Sequence, residues 1–345
     1  MRTSVLSLMS LDGHAYAEDL ERLGVEVGSL GLRTRWDPTV AGRAAAWVGA
    51  RRPDLLHTHL KHADVVGSRV SRRLGIPFVS TLHMVESSVG PLGRVKRRAA
   101  FGARAGHAAR TVAVSDAVRA WYLGSCPADP STVITIHNGV AVDETDPAAA
   151  SSVRAEFGVG ADRLLAVTAA IMRPGKGHDV ILEAAASLPE AVPVTFAFVG
   201  EGPEQEALLQ RAHQLGLLGD RVLFPGFRSD IGRVLAAADL AVQASLNDAL
   251  PTSLLFALAA GVPIVATRVG GIPEIVGAEA GILIEPGDAR ALADAVDRLC
   301  DDPAARRLMG KRGRERFEEE FDGRVWIRRL RGLYDEVLGR APPSR

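Results

Sequence analysis

The loop at residues 172–178 contains two cationic side chains, Arg173 and Lys176, among three turn residues and ahead of a predicted helix that continues to Ala186. A lysine supplies a compact positive charge that suits a departing phosphate. The N-terminus of a helix adds unpaired amides and the positive end of a dipole. The loop therefore predicts a diphosphate site. Taken alone, it is explained equally well by a solvated turn with surface cations.

A carboxylate at Asp248 comes just before a second predicted helix, within the segment SLNDALPTS at residues 245–253. There it can accept hydrogen bonds from sugar hydroxyls, while the free amides of the first helical turn hold phosphate oxygens. The segment thus predicts a sugar and phosphate site. The alternative is that Asp248, Thr252 or Ser253 only caps the helix, which is a common role of these residue types.

Glycine turns follow two further predicted strands. In the segment FVGEGPE, Gly200 and Gly202 permit positive φ angles and close approach of the backbone to a ligand. The segment FPGF ends at Phe227, where backbone groups can recognise the edge of a base. Each signal is weak alone, because a Gly-x-Gly usually marks only a tight turn.

The elements that position these residues alternate between short apolar segments and helical periodicity, which predicts parallel sheets covered by helices. The pattern restarts after a loop at residues 140–147, so we expect two doubly wound halves. Open parallel sheets bind ligands at the carboxyl ends of their strands, and each segment described above follows a strand of the second half. The predicted strands lie at 5–9, 55–58, 78–82, 111–114, 133–136, 164–168, 194–199, 222–224, 240–243, 264–267 and 281–284.

Composition excludes several classes of protein. At 345 residues the chain is long enough for two domains of roughly 150 residues each. Its 41 basic and 41 acidic residues cancel, so no overall field would attract nucleic acid. Two cysteines are too few for a disulfide framework, and the N-terminus resembles neither a signal peptide nor a membrane span. We expect a cytoplasmic protein that does not bind nucleic acid.

Five ordered motifs in the second half and four in the first resemble family 4 of the retaining glycosyltransferases. The motifs of the second half are RPGKGHD, VGEGP, FPGFRSD, the long segment around SLNDALPTS, and VGGIPEIV. Those of the first half are RPDLLHTHL, GIPFVSTLH, VAVSDAVR and IHNGV. The resemblance covers nearly the whole chain.

The resemblance implies a GT-B type α/β fold, in which two Rossmann-like domains face each other across a cleft. An acceptor domain would occupy residues 1–143, a donor domain residues 144–325, and a helix at 326–345 would cross back to the first domain. A nucleotide-diphosphate sugar of UDP or GDP type would bind the second domain as co-substrate. The acceptor, a glycan or a lipid-linked molecule, would dock on the first. Transfer would retain the anomeric configuration and need no metal or other cofactor.

Residue roles follow from the same resemblance. Lys176 matches the lysine on the diphosphate, Asp248 the first glutamate of a Glu-x7-Glu motif on the donor sugar, and His83 a histidine facing that sugar. Without the resemblance, a lone histidine at a strand end is more often structural. The remaining substrate-binding residues are Ala249, Leu250, Thr252 and Ser253 in the cradle of the sugar and phosphates, together with Arg173, Gly200 and Phe227.

Three features depart from the family pattern. Ile171 stands where the family has an arginine, for which Arg173 is the nearest replacement. Phe256 stands where the second glutamate would contact the ribose. The first strand, its glycine-rich loop and its helix are not found, so the expectation is an acceptor domain with two unpaired inner strand edges. Either the true start lies upstream of Met1, which we favour, or the acceptor domain is damaged.

Alternatives in other functional classes remain open. These departures would suit a donor-binding protein of the same fold that has lost turnover, and a sugar-nucleotide epimerase would use the same donor site without an acceptor. The basic stretch 91–110 suggests peripheral contact with an anionic membrane, although a solvated helix face is the simpler interpretation. That stretch includes Arg94, Lys96, Arg97, Arg98, Arg104 and Arg110.

Overall fold

The computed structural model describes residues 1–12, 15–32, 37–85, 90–142 and 147–340. Its contacts divide the chain into two compact units. Unit 1 comprises Met1–Ala113, Arg119–Thr135 and Arg331–Arg345, and unit 2 comprises Val114–Val118 and Ile136–Leu330. The domain boundary predicted between residues 143 and 144 lies outside the described residues, so the predicted bounds stay predictions.

Unit 1 contains two parallel sheets. The first pairs β1 (Ser4–Met9) with β2 (Glu26–Leu32), and the second has the order β3 (Leu56–His59), β4 (Phe78–Leu82), β5 (Arg110–Ala113) and β6 (Val133–Thr135). The helices are α1 (Ala15–Arg22), α2 (Val40–Arg51), α3 (Lys61–Leu74), α4 (Pro91–His107) and α5 (Asp116–Ser125).

The sheets of unit 1 meet through their helices rather than through hydrogen-bonded strands. One apolar cluster joins Leu6 and Leu8 of β1 to Leu56 of β3 by way of Val48 in α2 and Val70 in α3. Within the described residues, β1 pairs only with β2 and β3 only with β4, so each has the unpaired inner edge that the family resemblance implies. Strand β2 was not predicted, because two glycines interrupt the alternation of EVGSLGL.

Unit 2 is built on one six-stranded parallel sheet. Its strands are β7 (Leu164–Ala169), β8 (Val194–Val199), β9 (Val222–Gly226), β10 (Leu240–Gln243), β11 (Ile264–Thr267) and β12 (Gly281–Ile284). The spatial order is β12, β11, β10, β7, β8, β9, which is doubly wound about β7. All residues of β8, β10 and β11 are buried, as expected for strands covered by helices on both faces.

The helices of unit 2 follow the strands in regular alternation. They are α6 (Pro147–Glu156), α7 (His178–Ser187), α8 (Gln205–Gln214), α9 (Ile231–Ala236), α10 (Thr252–Ala259), α11 (Ile272–Val276), α12 (Ala289–Asp301) and α13 (Pro303–Arg316). A final helix, α14 (Gly323–Val337), belongs to unit 2 as far as Leu330 and to unit 1 from Arg331 onward. No helix among the described residues is long and apolar enough to cross a bilayer.

The basic stretch 91–110 is not one charged surface, contrary to the sequence-based expectation. Helix α4 ends at His107, and Arg110 opens β5, where it pairs with Glu336. Arg104 is buried at 4% exposure because it forms a 2.5 Å ion pair with Asp64. Arg94 and Arg98 are exposed, whereas Lys96 and Arg97 are half-buried.

Candidate active site

Lys176 and Asp248, which the sequence places 72 residues apart, form an ion pair at the carboxyl edge of the unit 2 sheet. The Lys176 Nζ to Asp248 Oδ2 distance is 2.6 Å, and both side chains are largely shielded from solvent. Lys176 follows β7 and Asp248 follows β10, and these strands are neighbours. The structure therefore brings together the predicted diphosphate cation and the predicted sugar carboxylate.

Backbone contacts hold the two loops of this pair together. The amide of Leu246 donates to the carbonyl of Gly175 over 2.9 Å. Gly177 has a φ of +73°, and a Cβ on it would lie 1.9 Å from the carbonyl oxygen of Ala244. Only glycine combines that conformation with so close an approach. The glycines of the 172–178 loop thus serve to dock it on the Asp248 loop.

The N-terminus of α10 is free of side-chain caps. Its N-cap is Pro251, and no side chain in the described part of the chain caps the first turn. The alternative role for Asp248, Thr252 and Ser253 as helix caps is therefore wrong. The amide of Leu254 donates to the carbonyl of Pro251, whereas the amides of Thr252 and Ser253 have no partner among the described residues. These two amides lie just after Asp248 in sequence and remain available to an anion.

The cradle predicted at residues 249–253 has a buried start and an open end. Ala249 and Leu250 are buried, Ser253 is half-buried and Thr252 is exposed. A Cβ on Gly271 would lie 2.1 Å from the carbonyl oxygen of Ala249, so the VGGIPEIV motif packs directly beneath this backbone. The buried part fixes the loop, and the open part adjoins the uncapped helix.

Gly200 and Phe227, which are predicted to bind the substrate, directly follow β8 and β9. Gly200 donates its amide to the carbonyl of Gly226, and a Cβ on it would lie 2.3 Å from the carbonyl oxygen of Ala170. Phe227 is 68% exposed and Ile171 is 52% exposed. Two large apolar side chains thus flank Gly200 at this edge of the sheet.

Arg173, the nearest replacement for the missing family arginine, and Phe256 lie in different surroundings. Arg173 is exposed on the same turn as Lys176, whose amide donates to the Arg173 carbonyl over 3.2 Å. The half-buried Phe256 ring lies against α9, where a Cβ on Gly232 would be 3.6 Å from its Cδ1. An apolar ring, which cannot accept a hydrogen bond from a hydroxyl, therefore occupies the position where the family pattern predicts a glutamate.

His83 belongs to unit 1, where it is hydrogen-bonded to a second histidine that sequence reasoning did not single out. His83 Nε2 lies 2.8 Å from His59 Nδ1, and His59 stacks on His57 at 4.4 Å between ring centroids. Burial lowers the pKa of His57 to about 3 and that of His83 to about 4, and it also lowers the pKa of His59. The cluster is neutral at physiological pH. The sequence signal for this cluster was the segment HTH in β3, because residues two apart in a strand, here His57 and His59, point to the same face.

Glu274 is a second residue that the sequence analysis left unassigned. Its carboxylate accepts hydrogen bonds from the amides of Asp116 and Ala117 and from His137 Nε2, at 2.7, 2.9 and 2.8 Å. Burial acts to raise the pKa of Glu274, but these hydrogen bonds outweigh it, and the pKa lies below its ordinary value. Glu274 therefore fixes the segments Val114–Val118 and 136–140 to unit 2. The residues of this contact lie in three of the family motifs. Glu274 belongs to VGGIPEIV, Asp116 and Ala117 to VAVSDAVR, and His137 to IHNGV.

His178 is buried beside the Lys176 loop without a hydrogen-bond partner for either ring nitrogen in the described structure. Its ring packs edge-on against Phe198 at 5.2 Å. Burial lowers the pKa of His178 to about 4. Between pH 6.5 and 4 the unfolded chain therefore binds a proton that the folded chain does not, so stability falls as the pH falls through this range.

We expect His178→Leu to make the protein less sensitive to acid. Leucine removes the titrating group. As the pH falls from 6.5 to 4, the free energy of unfolding of the variant should therefore decrease less steeply than that of wild type, by up to about 1.4 kcal/mol per pH unit. Urea unfolding at pH 7, 6 and 5 measures this slope. His213→Leu, at an exposed site on α8, is the matched control and should leave the slope unchanged. Equal slopes for wild type and His178→Leu would contradict the prediction.

Comparison with known proteins agrees with this geometry. The model of Glycosyltransferase Family 4 matches residues 3–144, and that of Glycosyl transferases group 1 matches residues 151–316. An N-acetyl-alpha-D-glucosaminyl L-malate synthase from Bacillus anthracis is 27% identical over 308 residues, covering 88% of this chain and 80% of that protein. A D-inositol 3-phosphate glycosyltransferase from Saccharomonospora viridis is 30% identical over 304 residues, covering 83% and 70%.

The fold has close counterparts among solved structures. Anabaena Alr3699/HepE, solved in complex with UDP, superposes with a TM-score of 0.85 at 22% identity, over 97% of this chain and 100% of that one. The fold is that of the GT-B glycosyltransferases, with two Rossmann-like units. Within that class, the chain belongs to glycosyltransferase family 4, and it is a glycosyltransferase.

Proposed function

We propose that this protein transfers a sugar from a nucleotide-diphosphate sugar to a carbohydrate or lipid-linked acceptor, with retention of anomeric configuration and without a metal. The main support is the Lys176–Asp248 pair beside the uncapped N-terminus of α10. The lysine and the helix amides suit the negative charge of a diphosphate, and the carboxylate can accept hydrogen bonds from sugar hydroxyls. Anabaena HepE has been solved with UDP and with UDP-glucose, which favours a UDP-type donor, with GDP as the other candidate.

Each residue has a proposed part in the reaction. As the bond between the anomeric carbon and the diphosphate breaks, negative charge grows on the diphosphate, and Lys176 and the α10 amides would stabilise it. Arg173 would assist from the same turn. Asp248 would hold sugar hydroxyls, Gly200 and Phe227 would hold the base, and His83 would contact the transferred sugar. The acceptor oxygen bonds to the anomeric carbon, and its proton leaves with the diphosphate or to solvent.

The names of two relatives add candidate classes of acceptor. One relative is named an N-acetyl-alpha-D-glucosaminyl L-malate synthase and the other a D-inositol 3-phosphate glycosyltransferase. Small hydroxy acids and polyol phosphates therefore join glycans and lipid-linked sugars as candidates. Peripheral membrane contact through the exposed Arg94 and Arg98 of α4 is a separate proposal. It would bring the protein to a lipid-linked acceptor.

A panel assay tests the proposed function. The protein is incubated with UDP- and GDP-sugars and each class of acceptor, with and without EDTA. We expect release of UDP or GDP that depends on an acceptor and persists in EDTA. NMR of the product should show the anomeric configuration of the donor. An inverted product, or activity that EDTA abolishes, would refute the retaining, metal-independent mechanism.

A second candidate is a donor-binding protein without turnover, which the apolar Phe256 and Ile171 favour. The lost ribose contact typically costs ~1 to 3 kcal/mol when a hydroxyl is left unpaired in a dry pocket. Calorimetry separates the two candidates. Donor binding without transfer to any acceptor in the panel would support this alternative.

A further inference from the structure

A chain of hydrogen bonds connects the core of unit 2 to Asp248. Gln243 Nε2 donates to Ser245 Oγ over 2.7 Å, and Ser245 Oγ donates to Asp248 Oδ2 over 3.1 Å. The same Oδ2 accepts from Lys176 Nζ. Gln243 and Ser245 are fully buried, at 1% and 0% exposure. We call Gln243 and Ser245 the buried relay.

The donors and acceptors of the buried relay can be assigned from their chemistry. An amide nitrogen can only donate, so the Ser245 oxygen must accept from Gln243. The single hydroxyl hydrogen of Ser245 is then committed to Asp248. Two donors meet at Asp248 Oδ2, while Oδ1 has no hydrogen bond to any described residue. One carboxylate oxygen is thus engaged and the other is left for a ligand.

The backbone of the relay is anchored on two strands. Gln243 ends β10, and Thr267 of the neighbouring β11 donates from Oγ1 to the Ser245 carbonyl over 2.6 Å. A fully buried glutamine at the end of a strand inside the sheet is unusual, because its amide must find partners away from water. Leucine or methionine would fill the same place without that requirement. The structure offers no packing reason for an amide here, whereas orientation of Asp248 explains it.

We propose that Gln243 is a positioning residue, which acts through Ser245 to orient Asp248 so that Oδ2 holds Lys176 and Oδ1 receives the donor sugar. This inference rests on the proposed function for the identity of the ligand. It adds that Lys176 and Asp248 act as a unit preset by the core. A preset geometry avoids reorganisation when the donor binds.

Gln243→Met tests the proposal, because methionine keeps the length and removes the donor. We expect kcat to fall about tenfold, which corresponds to the upper range for one lost hydrogen bond between neutral groups, while the donor KM changes less than about threefold. The matched control is Gln210→Met, at an exposed glutamine that pairs with Glu206 on α8, and it should behave as wild type. Wild-type kcat in Gln243→Met would overturn the proposal.

Gln243→Glu gives a signature in the pH profile. An ionised glutamate would accept the Ser245 hydrogen and withdraw it from Asp248, whereas a protonated one donates as glutamine does. Burial raises the pKa of such a carboxyl. The activity of this variant, relative to wild type, should therefore recover as the pH is lowered from 8 to 6. A constant ratio across that range would show that Gln243 fills space only.

Ser245→Ala examines the route of the effect. If Gln243 acts through Ser245, the double variant Gln243→Met/Ser245→Ala should be no slower than Ser245→Ala alone. Additive losses would overturn this route. A crystal structure of Gln243→Met supplies a readout that needs no turnover, in which Asp248 should have rotated away from Lys176. An unchanged pair would overturn the inference, whereas an inactive wild type would count against the proposed function alone.

Discussion

Lys176→Ala is expected to lower kcat for sugar transfer by at least about a hundredfold, the usual effect of removing one donor that stabilises charge in a transition state. The side chain is 13% exposed, so its charge acts through little water. Donor KM should change less than kcat, because the developing charge on the diphosphate exceeds that of the bound donor. Steady-state kinetics with saturating acceptor measures both constants.

Two further variants separate this effect from damage to the site. Alanine leaves Asp248 partly buried without its counter-charge, so Lys176→Ala/Asp248→Asn removes that charge as well. The double variant should regain thermal stability but not activity. Lys311→Ala, at an exposed lysine that pairs with Glu315 on α13, should retain full activity. Wild-type kcat in Lys176→Ala would exclude this lysine from the chemistry.

Arg104→Met is expected to destabilise unit 1 by about 3 to 5 kcal/mol, the range found when one partner of a buried ion pair is removed. Asp64 has no exposed surface, and it accepts hydrogen bonds from Thr58 and Ser80 at 2.6 Å each as well as from Arg104. Without the arginine, its charge would be held in the core with two hydroxyl partners. Urea unfolding at pH 7, followed by the tryptophans of unit 1, gives the free energy of unfolding.

The matched control for this prediction lies six residues earlier on the same helix. Arg98 is exposed, and Arg98→Met should change the free energy of unfolding by less than about 0.5 kcal/mol. Asp64→Asn/Arg104→Met should recover part of the loss, since it removes both charges. Equal stability of Arg104→Met and Arg98→Met would show that the buried pair contributes little.

The strands of unit 2 could be predicted from sequence because burial on both faces leaves a continuous apolar run. All six residues of β8 are buried, and its predicted bounds are correct. Strand β2 gives no such signal, since its two glycines leave little side-chain surface on either face. The unpaired edges of β1 and β3 were expected from the family pattern, not from the residues themselves.

The sequence predicted where the residues of the candidate site lie in the fold, but not which of them contact each other. Spacing after strands placed Lys176 and Asp248 at one edge of the sheet, where the structure has them, because parallel strands end at one edge of a sheet. Their pairing with each other, and the buried relay behind them, depend on side-chain directions that no local pattern specifies. The same limit explains Arg104, because composition marks a helix as basic but does not show which of its arginines faces the core.

The path of the chain between the two units affects how this protein can be recombined with its relatives. The chain changes unit at residues 113–114, 118–119, 135–136 and 330–331. Glu274 accepts hydrogen bonds from the amides of Asp116 and Ala117, so those residues belong with unit 2 although the flanking sequence does not. A chimaera joined at a single point near residue 144 would take Glu274 from one parent and these amides from the other. Exchange of unit 2 with a relative therefore requires transplanting Val114–Val118 as well.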